Sequence, residues 1–150
     1  LVYIIQRRSV AMSSSAIPDG FTRHTRRSGL TDPWEPLYAM QRADGLSLGL
    51  RAAEAHANSR GFVHGGLISA LADNAMGLSC ARQLTEISGL VTVNLSLDFL
   101  GTARCEQWLE VRATVRKTGR SLCFAEALVL ADGEVCARAS GVFKVMLAAT

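Results

Sequence analysis

With 150 residues, a formal net charge of +3 and 49% hydrophobic residues, the chain can bury roughly two-thirds of its unfolded surface in one domain. The composition is typical of a globular protein rather than a disordered one, and no apolar run approaches the ~20 residues that cross a bilayer. We therefore expect a soluble protein with no membrane partner.

Basic charge is concentrated at the start of the chain. Residues 1–30 hold five arginines and one aspartate, whereas the remaining residues hold 11 basic and 12 acidic side chains. Nucleic-acid-binding proteins usually carry a compact basic patch with interleaved aromatic residues, and the sequence has no such run. We therefore expect no nucleic-acid partner.

The four cysteines are Cys80, Cys105, Cys123 and Cys136; they form no CxxC pair and lie in apolar or alternating segments. Metal sites need clustered ligands, so we expect no metal and no cofactor. Their even number alone would allow disulfides, but a sizeable core and the lack of a recognisable secretion signal favour a cytosolic protein. The thiols are therefore expected to be reduced core residues in a cytoplasmic protein.

The first part of the chain differs in character from the rest. Residues 1–20 are expected to form a flexible N-terminal extension, and residues 21–150 a single domain. Phe21 to Arg27 could form a short helix that ends near Gly29. The two prolines that flank Trp34 predict an extended link.

Two strands and a helix are predicted next. The runs Leu37 to Ala43 and Leu46 to Ala52 are separated by Asp44-Gly45, a hairpin signal because both residues tolerate the positive φ of a type I′ turn. After a loop, a nearly charge-free helix is predicted from Gly65 to Gln83 or Leu84.

The second half of the chain alternates between apolar and polar residues. From Val91 to Phe99 the period is two, which predicts a strand with one buried face. The pattern continues over residues 109–116, 122–131 and 134–146, with a second hairpin signal at Asp132-Gly133. Together these segments give about six antiparallel strands, which must wrap around the one long helix because nothing else can cover it. The fold class is α+β.

The predicted helix carries a single carboxylate, Asp73, in apolar surroundings. The stripe that contains it is otherwise small: Gly66, Ser69, Ala70, Gly77 and Cys80. The opposite stripe is apolar and consists of Leu67, Leu71, Ala75 and Leu78. The helix should therefore be buried all round, and its small side should meet another chain or a ligand closely. An ordinary buried helix in which Asp73 reaches solvent explains the composition equally well.

The most specific pattern spans Asn58 to Gly77, with the spacing N-x-x-G-x-x-H-G-G-x(6)-D. With the alternating strand and the two Asp-Gly hairpins, it resembles the hotdog-fold acyl-CoA thioesterases of the phenylacetate-degradation (PaaI-like) type, within the 4-hydroxybenzoyl-CoA thioesterase superfamily. The resemblance covers roughly Leu37 to Met146. It implies a hotdog fold, a homodimer with one continuous sheet around two helices, commonly paired into a homotetramer, and hydrolysis of an acyl-CoA to free acid and CoA.

Thioester hydrolysis needs an activated water or nucleophile and a donor for the carbonyl oxygen. Gly65 begins the helix, so its free N–H and the helix dipole can hold an oxyanion. Asp73 would be the general base or a nucleophile.

By resemblance Asn58 binds the carbonyl or acyl group, although it also suits a turn. His64 lines the site and stiffens the corner, and Thr92 helps to orient water, although it could be a plain exposed strand residue.

The spacing of Gly65 and Asp73 bears on how the site is assembled. Eight residues of helix span about 12 Å, whereas a water held by Asp73 must attack a carbon within about 3–3.5 Å. One chain therefore cannot readily supply both groups to one thioester. Two antiparallel helices could, so we expect a homodimer with two shared sites.

Substrate contacts are expected in two places. An aromatic or medium-chain acyl group would be lined by Gly66, Leu71 and Met76. The turn that resembles the family's CoA-binding turn would border the CoA arm through Gly119, Arg120 and Ser121, since arginine suits phosphate.

Two other functions remain open from the sequence. A non-catalytic acyl-CoA sensor or binding module would keep the channel without needing Asp73. A hotdog acyl-thioester dehydratase or hydratase typically needs a histidine in its acid/base pair, and the predicted helix has none after His64. A serine hydrolase is not expected, because no G-x-S-x-G elbow occurs.

Overall fold

The fold is one antiparallel sheet with a long helix packed on one face. The computed structural model describes residues 16–148. Its elements are β1 (Thr22–Arg23), β2 (Tyr38–Arg42), β3 (Gly45–Arg51), α1 (Gly65–Arg82), β4 (Ile87–Phe99), β5 (Trp108–Thr118), β6 (Leu122–Ala131) and β7 (Glu134–Leu147). The strand order is β1-β2-β3-β5-β6-β7-β4, and α1 contacts β3 to β7. The predicted α+β wrap is confirmed, with seven strands instead of about six. None of the described helices is long and apolar enough to span a membrane.

The extra strand, β1, replaces the short helix predicted over Phe21 to Arg27, which was wrong. Its two residues pair antiparallel with β2, and the ring of Phe21 meets the ring of Trp108 edge-on at 5.1 Å. A helix of seven residues has little stability of its own. The contact between Phe21 and Trp108 and the pairing with β2 therefore decide that this segment is extended. The link near Trp34, in contrast, is not extended: Asp32–Trp34 is a 3-10 helix, since Pro33 is tolerated in a first turn.

The predicted flexible extension over residues 1–20 lies mostly outside the described residues. In its described part, the carbonyl oxygen of Ala16 accepts a hydrogen bond from Arg51 at 2.7 Å. The carbonyl oxygen of Pro18 accepts one from the N–H of Phe21 at 3.3 Å. These bonds join the end of the extension to β3 and to the start of β1.

The two Asp-Gly signals have different structural roles. Asp132 and Gly133 have φ values of 47° and 87°, so the turn predicted there is confirmed. Asp44 and Gly45 are not among the described residues with positive φ; Gly45 already belongs to β3 and pairs with Arg42. Here glycine is required because a Cβ would collide with the carbonyl oxygen of Ala113.

The helix has the two predicted sides. Its core side is buried and consists of Leu67, Ile68, Leu71, Ala72, Ala75, Met76, Ser79 and Cys80. The hydroxyl of Ser79 accepts the N–H of Leu46 at 3.0 Å and donates to the carbonyl oxygen of Ala75 at 2.7 Å, which ties the helix to β3. The opposite, small-residue side around Asp73 is half-buried. Two positions differ from the prediction: Cys80 is in the core, and Leu78 is on the half-buried side.

Three of the four cysteines, Cys80, Cys123 and Cys136, are buried, and Cys105 is half-buried; all four are free. Burial raises the pKa of the Cys80 and Cys136 thiols, so both are held in the uncharged form. These buried cysteines act as small apolar residues, as expected from the sequence.

Strand β4 contains a β-bulge that changes which side chains face the helix. Thr92 is opposite Phe143 on β7 and Asn94 is opposite Val142, so Val93 is an extra residue. Because side chains alternate along a strand, one extra residue reverses the facing of those that follow. Thr92 therefore points to the same side as the buried Phe143, towards the helix.

The single buried face predicted for β4 is wrong. Val91, Val93 and Phe99 are 51%, 53% and 54% exposed in the single chain. Among the strands of residues 16–148 it lies at the edge of the sheet and pairs with β7 alone, so half of its backbone groups have no partner strand there. The alternation predicted the strand itself, but it could not reveal the bulge or the position at the edge.

A buried histidine connects the loop before the helix to the rest of the fold. His56 is 6% exposed; its Nδ1 accepts the N–H of Ala53 at 2.9 Å, and its carbonyl oxygen accepts the N–H of His64 at 2.9 Å. Burial lowers the pKa of His56, with a smaller opposing effect from the backbone of Trp34. A neutral imidazole fits this role because Nδ1 must accept a hydrogen bond.

We predict that Gly45→Ala destabilises the protein by about 1–3 kcal/mol, because its methyl group has no space beside the Ala113 carbonyl. The measurement is the free energy of unfolding in urea. Gly29→Ala is the matched control: a Cβ there meets nothing within 4 Å, so its effect should stay within about 0.5 kcal/mol. Equal stabilities of the two variants would contradict the assignment.

We also predict that acid weakens the fold through His56. The unfolded imidazole, with a pKa of about 6.5, binds a proton more readily than the folded one, so the unfolding free energy falls as pH drops from there through the folded-state pKa. His24, whose pKa is lowered mainly by burial, adds to the same trend.

The check is urea unfolding at about pH 7.5 and 5.5. In His56→Asn the amide oxygen can still accept the Ala53 N–H, but the titrating group is gone. The stability lost between the two pH values should be smaller in this variant than in the wild type. An equal loss would show that His56 does not contribute.

Candidate active site

The carboxylate of Asp73 is fixed by a hydrogen bond from the sheet. The hydroxyl of Thr92 donates to its Oδ1 at 2.7 Å. This bond depends on the β4 bulge, which turns Thr92 towards the helix. Thr92 is the only hydrogen-bond partner of this carboxylate in the described part of the chain, so Oδ2 is available to a substrate or water. The sequence therefore predicted two residues that the structure brings together.

Asp73 borders two connected openings on the small-residue side of α1. The first, of about 250 Å³, runs past Gly77 and Ala81 towards the end of the helix, and Leu90 and Phe143 form its sheet side. The second, of about 450 Å³, runs towards the start of the helix and is bordered there by Gly66, Ser69 and Ala70, with Leu95 on the sheet side. We call the two openings together the Asp73 cleft.

The remaining wall of the Asp73 cleft comes from the N-terminal part of the chain. His24, Arg26, Arg27, Ser28 and Thr31 line the first opening, and Ser28, Leu30 and Thr31 line the second. Sequence reasoning missed these residues, because Arg26-Arg27 looked like part of the basic start of the chain, residues 1–30. No periodicity or motif in the sequence links them to Asp73.

The start of α1 forms a capped corner. Nδ1 of His64 accepts the N–H of Gly66 at 2.8 Å, which is the N-cap arrangement that satisfies one free helix donor. The N–H of Gly65 has no acceptor among the described residues, as expected for a first-turn donor. A Cβ on Gly65 would lie 3.3 Å from the Phe99 ring, so the glycine keeps the corner narrow and its N–H accessible.

Asn58 forms a turn beside this corner. Its Oδ1 accepts the N–H groups of Arg60 at 2.9 Å and Phe62 at 3.2 Å. Only its side-chain NH₂ group remains to donate to a ligand. Asn58, His64 and Gly65 thus lie at or just before the start of the helix. Asp73 lies about two turns further along it, beside Thr92 of β4.

The other predicted substrate contacts are spread out in the single chain. Leu71 and Met76 are at most 1% exposed and belong to the core; neither borders the Asp73 cleft. Gly119, Arg120 and Ser121 form the β5–β6 turn, where the carbonyl oxygen of Ser121 accepts the N–H of Val145 at 2.8 Å. Val145 is opposite Leu90 on β4, so this turn is at the same end of the sheet as the first opening.

A larger opening, of about 610 Å³, lies on the outer face of the sheet and is separate from Asp73. Two of its arginines are paired: Arg116 with Glu126 at 2.8 Å, and Arg138 with Asp98 at 2.7 Å. The two carboxylates that line this opening, Asp98 and Glu126, are therefore both paired with arginine, whereas Asp73 has no basic partner among residues 16–148. Within residues 16–148 no three His, Cys, Asp or Glu side chains are grouped as a metal site would require.

Comparison with known proteins identifies the family and the fold of this chain. The sequence model of the Thioesterase superfamily matches residues 60–137. PA0474 of Pseudomonas aeruginosa, provisionally named an esterase, is 41% identical over 128 residues, which are 85% of this chain and 96% of that protein.

Two solved structures show the same fold. A hypothetical thioesterase protein of Streptococcus pneumoniae TIGR4, crystallised with coenzyme A, has a TM-score of 0.70 and 18% identity, covering 78% of this chain and 94% of that one. A mutant of the phenylacetic acid degradation protein PaaI from Thermus thermophilus has a TM-score of 0.65 and 22% identity, covering 72% and 91%. The predicted resemblance is confirmed: this chain has the hotdog fold and belongs to the Thioesterase superfamily.

Proposed function

We propose that this protein hydrolyses acyl-CoA thioesters with an aromatic or medium-chain acyl group, giving the free acid and CoA. The observation that carries the proposal is the half-buried carboxylate of Asp73, fixed by Thr92 at 2.7 Å in a cleft on the small-residue side of α1. Membership of the Thioesterase superfamily supports thioester hydrolysis. The coenzyme A bound to the Streptococcus pneumoniae protein supports CoA as the carrier.

Asp73 starts the reaction in either of two ways. As a general base, its Oδ2 takes a proton from a water that attacks the thioester carbon; as a nucleophile, it forms an anhydride that water then hydrolyses. Thr92 serves both routes. The hydroxyl hydrogen of Thr92 is donated to Oδ1, which holds the carboxylate in one orientation. The hydroxyl oxygen can then accept a hydrogen bond from the attacking water.

The carbonyl oxygen of the thioester is stabilised by the N–H of Gly65. This donor has no acceptor among residues 16–148 of the single chain and lies at the positive end of the helix dipole. Because Gly65 and Asp73 of one chain are about 12 Å apart along the helix, Gly65 serves the Asp73 of a second chain. Asn58 donates its NH₂ group nearby, and His64 keeps the corner rigid.

The edge strand β4 is where the second chain would join. Its outward backbone groups and exposed Val91 and Val93 can pair with the same strand of a partner, which would continue the sheet. Leu30 and Leu100 are also exposed, by 64% and 60%. A two-fold axis here would place two α1 helices antiparallel, with their small sides together.

Further contacts follow from the family resemblance. Gly66 borders the acyl group from the second opening of the cleft, while Leu71 and Met76 support that region from the core. Gly119, Arg120 and Ser121 border the CoA arm. Exposed Leu122, Phe124 and Leu128 on β6 offer a surface on which two dimers form a tetramer. The free cysteines fit a cytoplasmic protein.

The direct test is release of free thiol from phenylacetyl-CoA, benzoyl-CoA and medium-chain acyl-CoAs. The wild type should turn over at least one of them, and Asp73→Asn should lower kcat by roughly 10²–10⁴. An equally active Asp73→Asn would refute the mechanism. Binding of acyl-CoA without turnover would instead favour a sensor or binding module.

We predict that Thr92→Val lowers kcat about tenfold or more, because Asp73 loses the hydrogen bond that orients it, a contact worth roughly 1.5–3 kcal/mol. Thr92→Ser keeps the hydroxyl and should retain most of the activity. The measurement is kcat and KM on the best substrate of the panel. If Thr92→Val were as active as Thr92→Ser, the hydrogen bond to Asp73 would have no role in catalysis.

Mixing two inactive variants tests the shared site. Gly65→Pro removes the N–H donor, and proline suits the first helical position; the φ and ψ of His64, −66° and 133°, are compatible with a following proline. Gly65→Pro and Asp73→Asn should each be inactive alone. In their heterodimer one of the two sites keeps both Gly65 and Asp73. After random exchange of subunits about half of the dimers are heterodimers, each with one intact site of two, so about a quarter of wild-type activity should return.

Gly65→Ala is the control, since it adds a methyl group beside Phe99 but keeps the N–H. It should be more active than Gly65→Pro. If both groups of a site came from the same chain, mixing the two inactive variants would restore nothing, and the shared-site mechanism would be rejected.

A further inference from the structure

The wall of the Asp73 cleft formed by residues 24–31 lies outside the segment that matches the superfamily, which begins at residue 60. We propose that this wall is a subsite for an anionic group of the substrate, with Arg26 as the residue that binds it and His24 beside it. This inference rests on the proposed hydrolysis of acyl-CoA. It assigns a specificity role to a segment that carries none of the catalytic residues.

The charges along this wall support an anion subsite. Arg27 is neutralised by Asp32 at 2.7 Å and lies 4.0 Å from Glu35. Arg26 has no acidic partner within ion-pair distance in the described part of the chain, and residues 1–15 and 149–150 include no Asp or Glu. The guanidinium of Arg26 is therefore an uncompensated positive charge at the first opening of the cleft.

His24 adds a neutral hydrogen-bonding group next to this charge. Burial lowers its pKa, Glu35 opposes that effect, and the charge of Arg26 adds to it. A neutral imidazole can donate one hydrogen bond and accept another. It can therefore contact a ligand without competing with Arg26 for a counter-charge.

The segment is held in place before any substrate binds. The N–H of His24 donates to the carbonyl oxygen of Leu37 at 2.9 Å. The hydroxyls of Ser28 and Thr31 are 2.8 Å apart, and Thr31 is buried. A fixed wall loses little conformational freedom on binding, so its charge can discriminate between substrates.

The ligand chemistry follows from the guanidinium. Arginine binds carboxylates and phosphates through paired N–H donors, whereas a neutral acyl chain gains nothing from it. Two parts of a substrate could supply the anion: the phosphates of CoA, or a carboxylate on the acyl group. The experiment must separate these sources.

The test compares Arg26→Gln with the wild type on hexanoyl-CoA, adipoyl-CoA and hexanoyl-pantetheine. These have matched six-carbon acyl groups; only the first two carry phosphates, and only adipoyl has an acyl carboxylate. The measurement is kcat/KM by thiol release. Arg82→Gln is the control, because Arg82 is also exposed and does not line the cleft; its effect should be less than about twofold.

Loss of the charge-assisted bond should lower kcat/KM about 10- to 100-fold for substrates that carry the anion. A loss on both CoA thioesters but not on the pantetheine ester assigns the subsite to phosphate. A loss on adipoyl-CoA alone assigns it to an acyl carboxylate. No loss beyond that of Arg82→Gln, or an equal loss on all three substrates, would overturn the proposal.

Failure of the proposed function gives a different result. If the wild type hydrolyses none of the three compounds, the same compounds serve as unreacted ligands, and their Kd values for the wild type and Arg26→Gln are compared by calorimetry. The same pattern of selective weakening supports the anion subsite without turnover, and unchanged Kd values reject it.

Discussion

The hydrogen bond between Thr92 and Asp73 depends on one extra residue in β4. Without the bulge at Val93, the strand would keep a single alternation, and residues after position 92 would face the opposite way. With it, Thr92 faces the helix, while Leu95 and Leu97 further along pack against the core. The same strand presents Val91 and Val93 outwards at the sheet edge. One irregularity therefore orients the carboxylate of Asp73 and leaves an apolar edge exposed in the single chain.

Features set by local sequence could be predicted. The helix was expected from Gly65 to Gln83 or Leu84 and ends at Arg82. A long, nearly charge-free run that follows a glycine corner favours a buried helix over other structures. The Asp132-Gly133 turn follows from the φ values that these residues tolerate. The spacing that joins Asn58 to Asp73 was specific enough to indicate the family.

Features set by contacts between residues far apart in the sequence could not be predicted. Strand β1 forms because Phe21 packs against Trp108, 87 positions away in the sequence. The local sequence pattern around Phe21 does not predict this contact. A one-residue bulge leaves the apolar/polar alternation of β4 almost intact, so the exposure of Phe99 was hidden. The role of residues 24–31 depends on how the chain returns over α1, which composition does not encode.

The residues proposed for catalysis and those proposed for substrate selection lie in different parts of the sequence. The superfamily match begins at residue 60 and includes the helix start, Asp73 and Thr92, which are the groups that the proposed hydrolysis uses. The wall at residues 24–31 touches the cleft from outside that region, with Arg26 as its uncompensated charge. If Arg26 binds an anion as proposed, a change in this wall can alter which substrate binds without moving Asp73 or Gly65. This chain would then differ from its relatives in substrate through residues that precede the segment matched by the superfamily.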